Sequence, residues 1–207
     1  MTAPLSGRIL TPSGWHDGTL EFTDQGRVGA IHAEPVPPGP AERYLLPGFI
    51  DLHVHGGGGA DIMEAGDAVA TVAHSHAQHG TTSLLATTMT APHIDIVAAL
   101  TDLGHACKHR SPGGARLLGV HLEGPYINPA KLGAQPAAAR EAVWAEIDAY
   151  CRLAPVRLLT LAPEIAGHQD FIRELVSKGI IVQLGHSLAS YEQGVTALKN
   201  GAAGFTH

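Results

Sequence analysis

A chain of 207 residues, 44% hydrophobic and 15% charged, carries enough apolar material for one sizeable core and lacks the charge density of a disordered segment. A net charge of -6 leaves no basic footprint for nucleic acid, and no apolar stretch approaches a membrane span, which leaves small-molecule chemistry as the expectation. Cys107 and Cys151 form no Cys-x-x-Cys pair, and the start Met-Thr-Ala-Pro-Leu-Ser-Gly-Arg has no signal-peptide core, so a reducing, cytoplasmic setting is expected.

Residues 1–46 read as a small β module, part of a β-sandwich. Strands are predicted at 8–10, 18–22 and 28–33, separated by Pro12-Ser-Gly14, Asp24-Gln-Gly26 and the Pro-rich stretch 35–40. Over 47–207 the pattern changes to apolar runs alternating with Ala-rich amphipathic stretches, the signature of βα units around a parallel sheet. Strands are predicted at 48–54, 83–89, 116–122, 156–161, 180–184 and 203–206, with helices at 67–79, 93–109, 137–151, 168–178 and 191–200. The fold class is α/β: a partial (β/α)8 barrel of about six strands, preceded in the chain by the β module. Runs 45–55 and 180–186 are apolar throughout, which predicts strands covered on both faces.

Side chains in a strand alternate faces, so His53 and His55 point the same way, and two imidazoles on one side can grip one metal ion. A pair of polar residues at a strand end is the competing reading. Other predicted strands end on His121 and Glu123, on His186 and on His207, and in a parallel barrel such ends converge on one face. His121, two residues before Glu123, is expected to orient that carboxylate. His74, His76 and His79 read as helix-end residues, and His105 with His109 as a solvated face lacking the glutamate of an H-E-x-x-H site. The run Gly56-Gly-Gly-Gly59 has no P-loop lysine and reads as a flexible loop over the site. Asp51, just before the His-x-His pair, and Asp61, in the glycine loop, are poor candidates for a general base.

Five segments in order, Pro47-Gly-Phe-Ile-Asp-Leu-His-Val-His55, His79-Gly-Thr-Thr-Ser83, Gly119-Val-His-Leu-Glu-Gly-Pro125, Leu184-Gly-His-Ser187 and Phe205-Thr-His207, resemble the N-acetylglucosamine-6-phosphate deacetylases of the amidohydrolase superfamily. The resemblance implies a catalytic divalent ion, zinc or iron, on Glu123, His186 and His207. It also implies an optional second ion on His53, His55 and Glu123. Lys131-Leu-Gly-Ala-Gln135 is similar to the family's K-x-G-A-H, which marks Ala134 and Gln135 as substrate contacts, with glutamine in the place of histidine. The implied reaction is hydrolysis of the acetamide of N-acetylglucosamine 6-phosphate, a small amino-sugar phosphate, to glucosamine 6-phosphate and acetate, by a homodimer at full length. In this family an aspartate at the end of the eighth barrel strand moves the proton. That residue is expected beyond position 207, so the chain alone is expected to be weakly active or inactive. An open barrel edge predicts self-association or low stability. Dihydroorotases and hydantoinases share H-x-H but bridge their metals with a carboxylated lysine, where this chain offers Glu123. A cyclic-amide hydrolase and an incompetent metal-binding protein remain the alternatives.

Overall fold

The computed structural model describes residues 3–64 and 66–207, and the chain divides into two compact units, Met1–Gly48 and Phe49–His207. In the first unit, β1 (Leu5–Thr11), β2 (Gly14–Phe22) and β3 (Val28–Pro35) form an antiparallel meander, and β4 (Tyr44–Leu45) pairs parallel to β1. Gly14, with φ 114°, closes the first hairpin in a conformation open to glycine. The three expected strands are present and longer. The two-residue β4 is too short to show a period in sequence. Arg8 forks onto both carboxylate oxygens of Asp17 at 2.9 Å and reaches the Gly39 carbonyl, tying the Pro-rich stretch to the meander.

The second unit alternates strand and helix. After β5 (Phe49–Val54) come a hairpin of β6 (Gly56–Gly57) and β7 (Ala60–Asp61), a 3-10 turn at Ile62–Glu64, and α1 (Asp67–Ala77). Then follow β8 (Thr81–Thr88), α2 (His93–Lys108), β9 (Arg116–Glu123), α3 (Trp144–Leu153), β10 (Val156–Leu161), α4 (His168–Ser177), β11 (Ile181–Leu184), α5 (Tyr191–Lys199) and β12 (Gly204–Phe205). All five strand pairings are parallel, in the order β12-β11-β10-β9-β8-β5, which is a partial (β/α) barrel. The core lies between the sheet and its helices. Leu84, Val120, Leu122, Leu159 and Leu161 from the strands meet Ile96, Leu100, Leu103, Ile147 and Ile172 from the helices, all fully buried.

Three expectations are corrected. β5 is not covered on both faces: it is an edge of the sheet, and Phe49, Ile50 and Leu52 are 59%, 60% and 51% exposed. β11 likewise alternates, with Ile181 exposed and Val182 and Leu184 buried, because hydrophobicity records what a face can bury and not what covers it. The third helix starts at Trp144 rather than 137, although alanine favours helix. Tertiary bonds hold that stretch out of the helix: Arg140 N–H donates to the Pro125 carbonyl, Ala142 N–H to His168 Nε2, and the Arg140 guanidinium spans the Ala91 carbonyl and Glu146. Finally, Gly56 to Gly59 form a hairpin and not a flexible loop. His76 Nε2 donates to the Gly56 carbonyl at 3.1 Å, and a Cβ on Gly56 would meet the Ala60 carbonyl oxygen at 2.5 Å.

His168 offers a readout of this packing. It is 1% exposed, its Nδ1–H donates to the Ala162 carbonyl at 2.8 Å, and its Nε2 accepts from Ala142. Burial lowers its pKa, so the folded chain binds fewer protons here than the unfolded chain does. Stability is therefore fully present above the ordinary histidine value of about 6.5 and is lost as pH falls below it. His168→Gln keeps both bonds without the titration. Denaturant unfolding of the second unit is expected to weaken less between about pH 6.5 and 5 in this variant than in the parent, and equal slopes would contradict the assignment.

Candidate metal centre

The site is assembled at the carboxyl ends of the parallel strands. Thr87, at the end of β8, locks the first pair: its Oγ1 accepts the Val54 N–H at 2.8 Å and its carbonyl accepts from His55 Nδ1 at 3.1 Å. With Nδ1–H so engaged, His55 presents Nε2, which lies 2.9 Å from Glu123 Oε2. His53 shares the face as the alternation requires, its ring centroid 4.8 Å from that of His55 and its Nε2 3.9 Å from Glu123 Oε1. From the other side His186 Nε2 and His207 Nε2 reach the same Oε1 at 3.2 and 3.0 Å. His186 is likewise oriented by its far nitrogen, which donates to the Lys131 carbonyl at 2.8 Å.

All five expected ligand residues thus converge, with Glu123 at the centre and only 1% exposed. They form two groups, His53-His55-Glu123 and Glu123-His186-His207, whose donor atoms lie within 4.8 Å of one another. Burial alone would push the Glu123 carboxyl up. The His55 hydrogen bond and the charges of His53, His55 and His186 outweigh burial and hold it at about 2, so it stays ionised at any ordinary pH. His55 is raised, the bond and charge of Glu123 overcoming burial, whereas burial dominates at His53 and lowers it. An ionised carboxylate with imidazole nitrogens fits a divalent ion of zinc or iron type. The His207 side chain is 58% exposed.

Among the described residues His186 is the internal non-glycine residue with a positive φ, 51°. Such a conformation costs about 1–3 kcal/mol in a residue bearing a β-carbon. Gly185 lets the turn form, since a Cβ there would lie 2.7 Å from Thr160 Cγ2 and 3.1 Å from Thr206 Cβ.

Several expected roles change. Gln135 is buried behind Glu123, with Nε2 donating to Glu123 Oε2 at 2.5 Å and Oε1 accepting the Thr90 N–H at 2.6 Å. Its amide oxygen and one amide N–H are thus engaged. Ala134 beside it is exposed. His121 backs His53 rather than Glu123: its Nδ1 is 3.3 Å from His53 Nδ1 and 3.1 Å from the Leu52 carbonyl, and its Nε2 is 2.7 Å from Thr160 Oγ1. Burial, with the nearby His53 charge, lowers His121 to about 4, so the ring is neutral near pH 7. Asp51 Oδ1 accepts the His53 N–H at 3.1 Å. Asp61 is committed to the Met63 N–H at 2.7 Å. His74 and His76 bond backbone carbonyls, and His105 and His109 stack on an exposed face, all apart from the cluster.

Sequence reasoning passes over Thr87, Thr160 and Thr206. Thr160 pairs in register with Glu123, and its hydroxyl lies 2.7 Å from both His121 Nε2 and Thr206 Oγ1. The strand-end position is a signal present in the sequence, but threonine is common in strands and does not mark chemistry.

Comparison with known proteins gives this geometry a family. A model described as the amidohydrolase family matches residues 44–202. The chain is 40% identical to N-acetylglucosamine-6-phosphate deacetylase of Vibrio furnissii, over 97% of this chain and 52% of that protein. It is also 40% identical to N-acetylgalactosamine-6-phosphate deacetylase of Escherichia coli O157:H7, over 97% of this chain and 54% of that protein. The crystal structure of N-acetylglucosamine-6-phosphate deacetylase from Thermotoga maritima superposes with a TM-score of 0.85 at 30% identity, covering 99% of this chain and 54% of that one. The Mycobacterium smegmatis enzyme gives 0.81 at 34%, covering 95% and 57%. The chain spans about half the length of the curated relatives it matches. A parallel β/α sheet with histidines and a carboxylate gathered at its strand ends, matched by the family model over most of its length, makes this chain a member of the amidohydrolase family.

Proposed function

We propose that this chain supplies the metal-binding part of a deacetylase that hydrolyses the acetamide of N-acetylglucosamine 6-phosphate to glucosamine 6-phosphate and acetate. The observation that carries the reading is the ionised, buried Glu123 ringed by four imidazoles at the strand ends. Deacetylase relatives at 40% identity support the substrate class. They do not favour the cyclic-amide alternative. The free thiols of Cys107 and Cys151 suit the cytoplasm, which is part of the proposal.

Zinc or iron, when bound, supplies Lewis acidity toward an amide carbonyl and makes water a stronger acid. The residues do the rest. Glu123 Oε1, His186 and His207 would hold one ion, and the fixed Nδ1–H of His186 leaves its Nε2 lone pair for that purpose. His53 and His55 would share Glu123 with an optional second ion. Gln135 already donates to Glu123 Oε2, the oxygen that His55 faces, which favours single occupancy. Collapse toward acetate requires a proton on the departing amine. Among the described residues Glu123 is the only carboxylate in either ligand group, and Asp51 and Asp61 each accept a backbone N–H on one oxygen. The acid is therefore proposed to lie outside this set.

The purified chain is expected to bind about one divalent ion, and Glu123→Ala to lose it, measured by elemental analysis after dialysis. Retention of metal by that variant would refute the site. Gln135→Ala frees Oε2 and is expected to raise the metal content toward about two ions. Release of acetate from N-acetylglucosamine 6-phosphate is expected to depend on metal and to vanish with Glu123→Ala. It should be slower by roughly 10²–10⁴-fold than in an enzyme with a positioned acid. Near-normal turnover would overturn the assignment of the missing acid, and turnover of dihydroorotate or a hydantoin instead would overturn the substrate class.

A further inference from the structure

The loop after β10 carries a carboxylate that belongs to neither ligand group. Three donors from two other loops meet on Glu164. Asn128 Nδ2 donates to Oε1 at 2.8 Å, the Leu188 N–H donates to the same oxygen at 2.6 Å, and Ser187 Oγ–H donates to Oε2 at 2.7 Å. Ser187 and Leu188 directly follow His186 in the chain. A second set of bonds closes the frame from the Asn128 side. The Asn128 N–H donates to the His186 carbonyl at 2.9 Å, and the Lys131 N–H donates to the Asn128 carbonyl at 2.9 Å. The Lys131 carbonyl in turn accepts from His186 Nδ1.

His186 requires such a frame. Its left-handed backbone is disfavoured by its β-carbon and persists only where the surroundings over-determine it. On its N-terminal side Gly185 is wedged against Thr160 and Thr206. On its C-terminal side the bonds to Glu164 hold the turn, and Leu188 itself is exposed and contributes little packing. The carboxylate form suits three donors: burial works against ionisation, and the bonds from Ser187, Leu188 and Asn128 outweigh it, keeping the Glu164 carboxyl below the usual range.

We propose that Glu164 is the positioning residue for His186, fixing the 186–188 turn against the 128–131 loop so that the imidazole stays aimed at Glu123. The inference rests on the reading of Glu123, His186 and His207 as a ligand set. It adds a residue that touches neither metal nor substrate.

Cobalt(II), titrated into the 207-residue chain and followed by visible absorption, tests it. Glu164→Ala is expected to weaken cobalt binding roughly 10- to 100-fold and to alter the ligand-field bands. Glu164→Gln keeps an oxygen for Asn128 and Leu188 and an amide that Ser187 Oγ can accept from, so parental affinity and spectrum are expected. Asn128→Asp leaves the Ala130 N–H acceptor in place but sets a second carboxylate against Glu164, and should weaken cobalt as the alanine variant does. Circular dichroism establishes that each variant is folded. If Glu164→Ala fails to fold, Asn128→Asp against the parent decides. Parental binding and spectrum in the folded Glu164→Ala or Asn128→Asp variant, or damage by Glu164→Gln equal to that by alanine, overturns the positioning role while the ligand set stands. Loss of cobalt in Glu123→Ala alone confirms that distinction, whereas no binding by the unsubstituted chain overturns the ligand set and this role with it.

Discussion

The second unit is organised around one buried charge. A carboxylate removed from water without partners would take up a proton rather than stay ionised. Glu123 avoids this because four imidazole nitrogens lie 2.9 to 3.9 Å from its oxygens and Gln135 donates to it from behind. Each of these groups is carried on a strand end or the loop beyond it. The geometry around Glu123 therefore exists only when β5, β9, β11 and β12 are all in register in one parallel sheet.

The surrounding polar groups can be understood as the supports that such a centre demands. Imidazoles are useful ligands only when the far nitrogen is fixed, and the Thr87 and Lys131 carbonyls do this for His55 and His186. His121 and Thr160 close the floor beneath His53, and Thr206 continues the chain of hydroxyls to Gln183. Backbone strain at His186 is the counterpart: an aimed side chain is obtained from a conformation that neighbouring loops must enforce. Away from the centre the sheet is less covered. Its edge strands β5 and β12 present Phe49, Ile50, Leu52 and Phe205 to solvent.

Much of this architecture is legible in the order of residues. The alternation of apolar runs and Ala-rich stretches locates all six parallel strands and all five helices, because each buries one face against its neighbours and so carries a period. His53, His55, Glu123, His186 and His207 are legible as strand-end residues, since parallel strands must bring their ends together. Elsewhere local signals mislead. The alanines at 137–139 favour helix, yet Arg140 and His168 hold that stretch out of the helix through bonds to residues distant in sequence. Gln135, which the resemblance marks as a sugar contact, donates to Glu123, a bond that no local signal announces. His121, two residues from Glu123, serves a histidine 68 positions away.

The sequence by itself determined the class of fold, the order of its βα units and the identity of the five candidate ligands. Periodicity and residue chemistry are local properties, and the strand ends of a parallel sheet leave few places for such residues to go. Only the tertiary structure decided which nitrogen each histidine presents, that Glu123 stays ionised, that Gln135 is occupied and that Glu164 braces the turn at His186. Those are matters of distance between side chains far apart in the chain, and a hydrogen bond exists only within a few tenths of an ångström that no spacing in a sequence can specify.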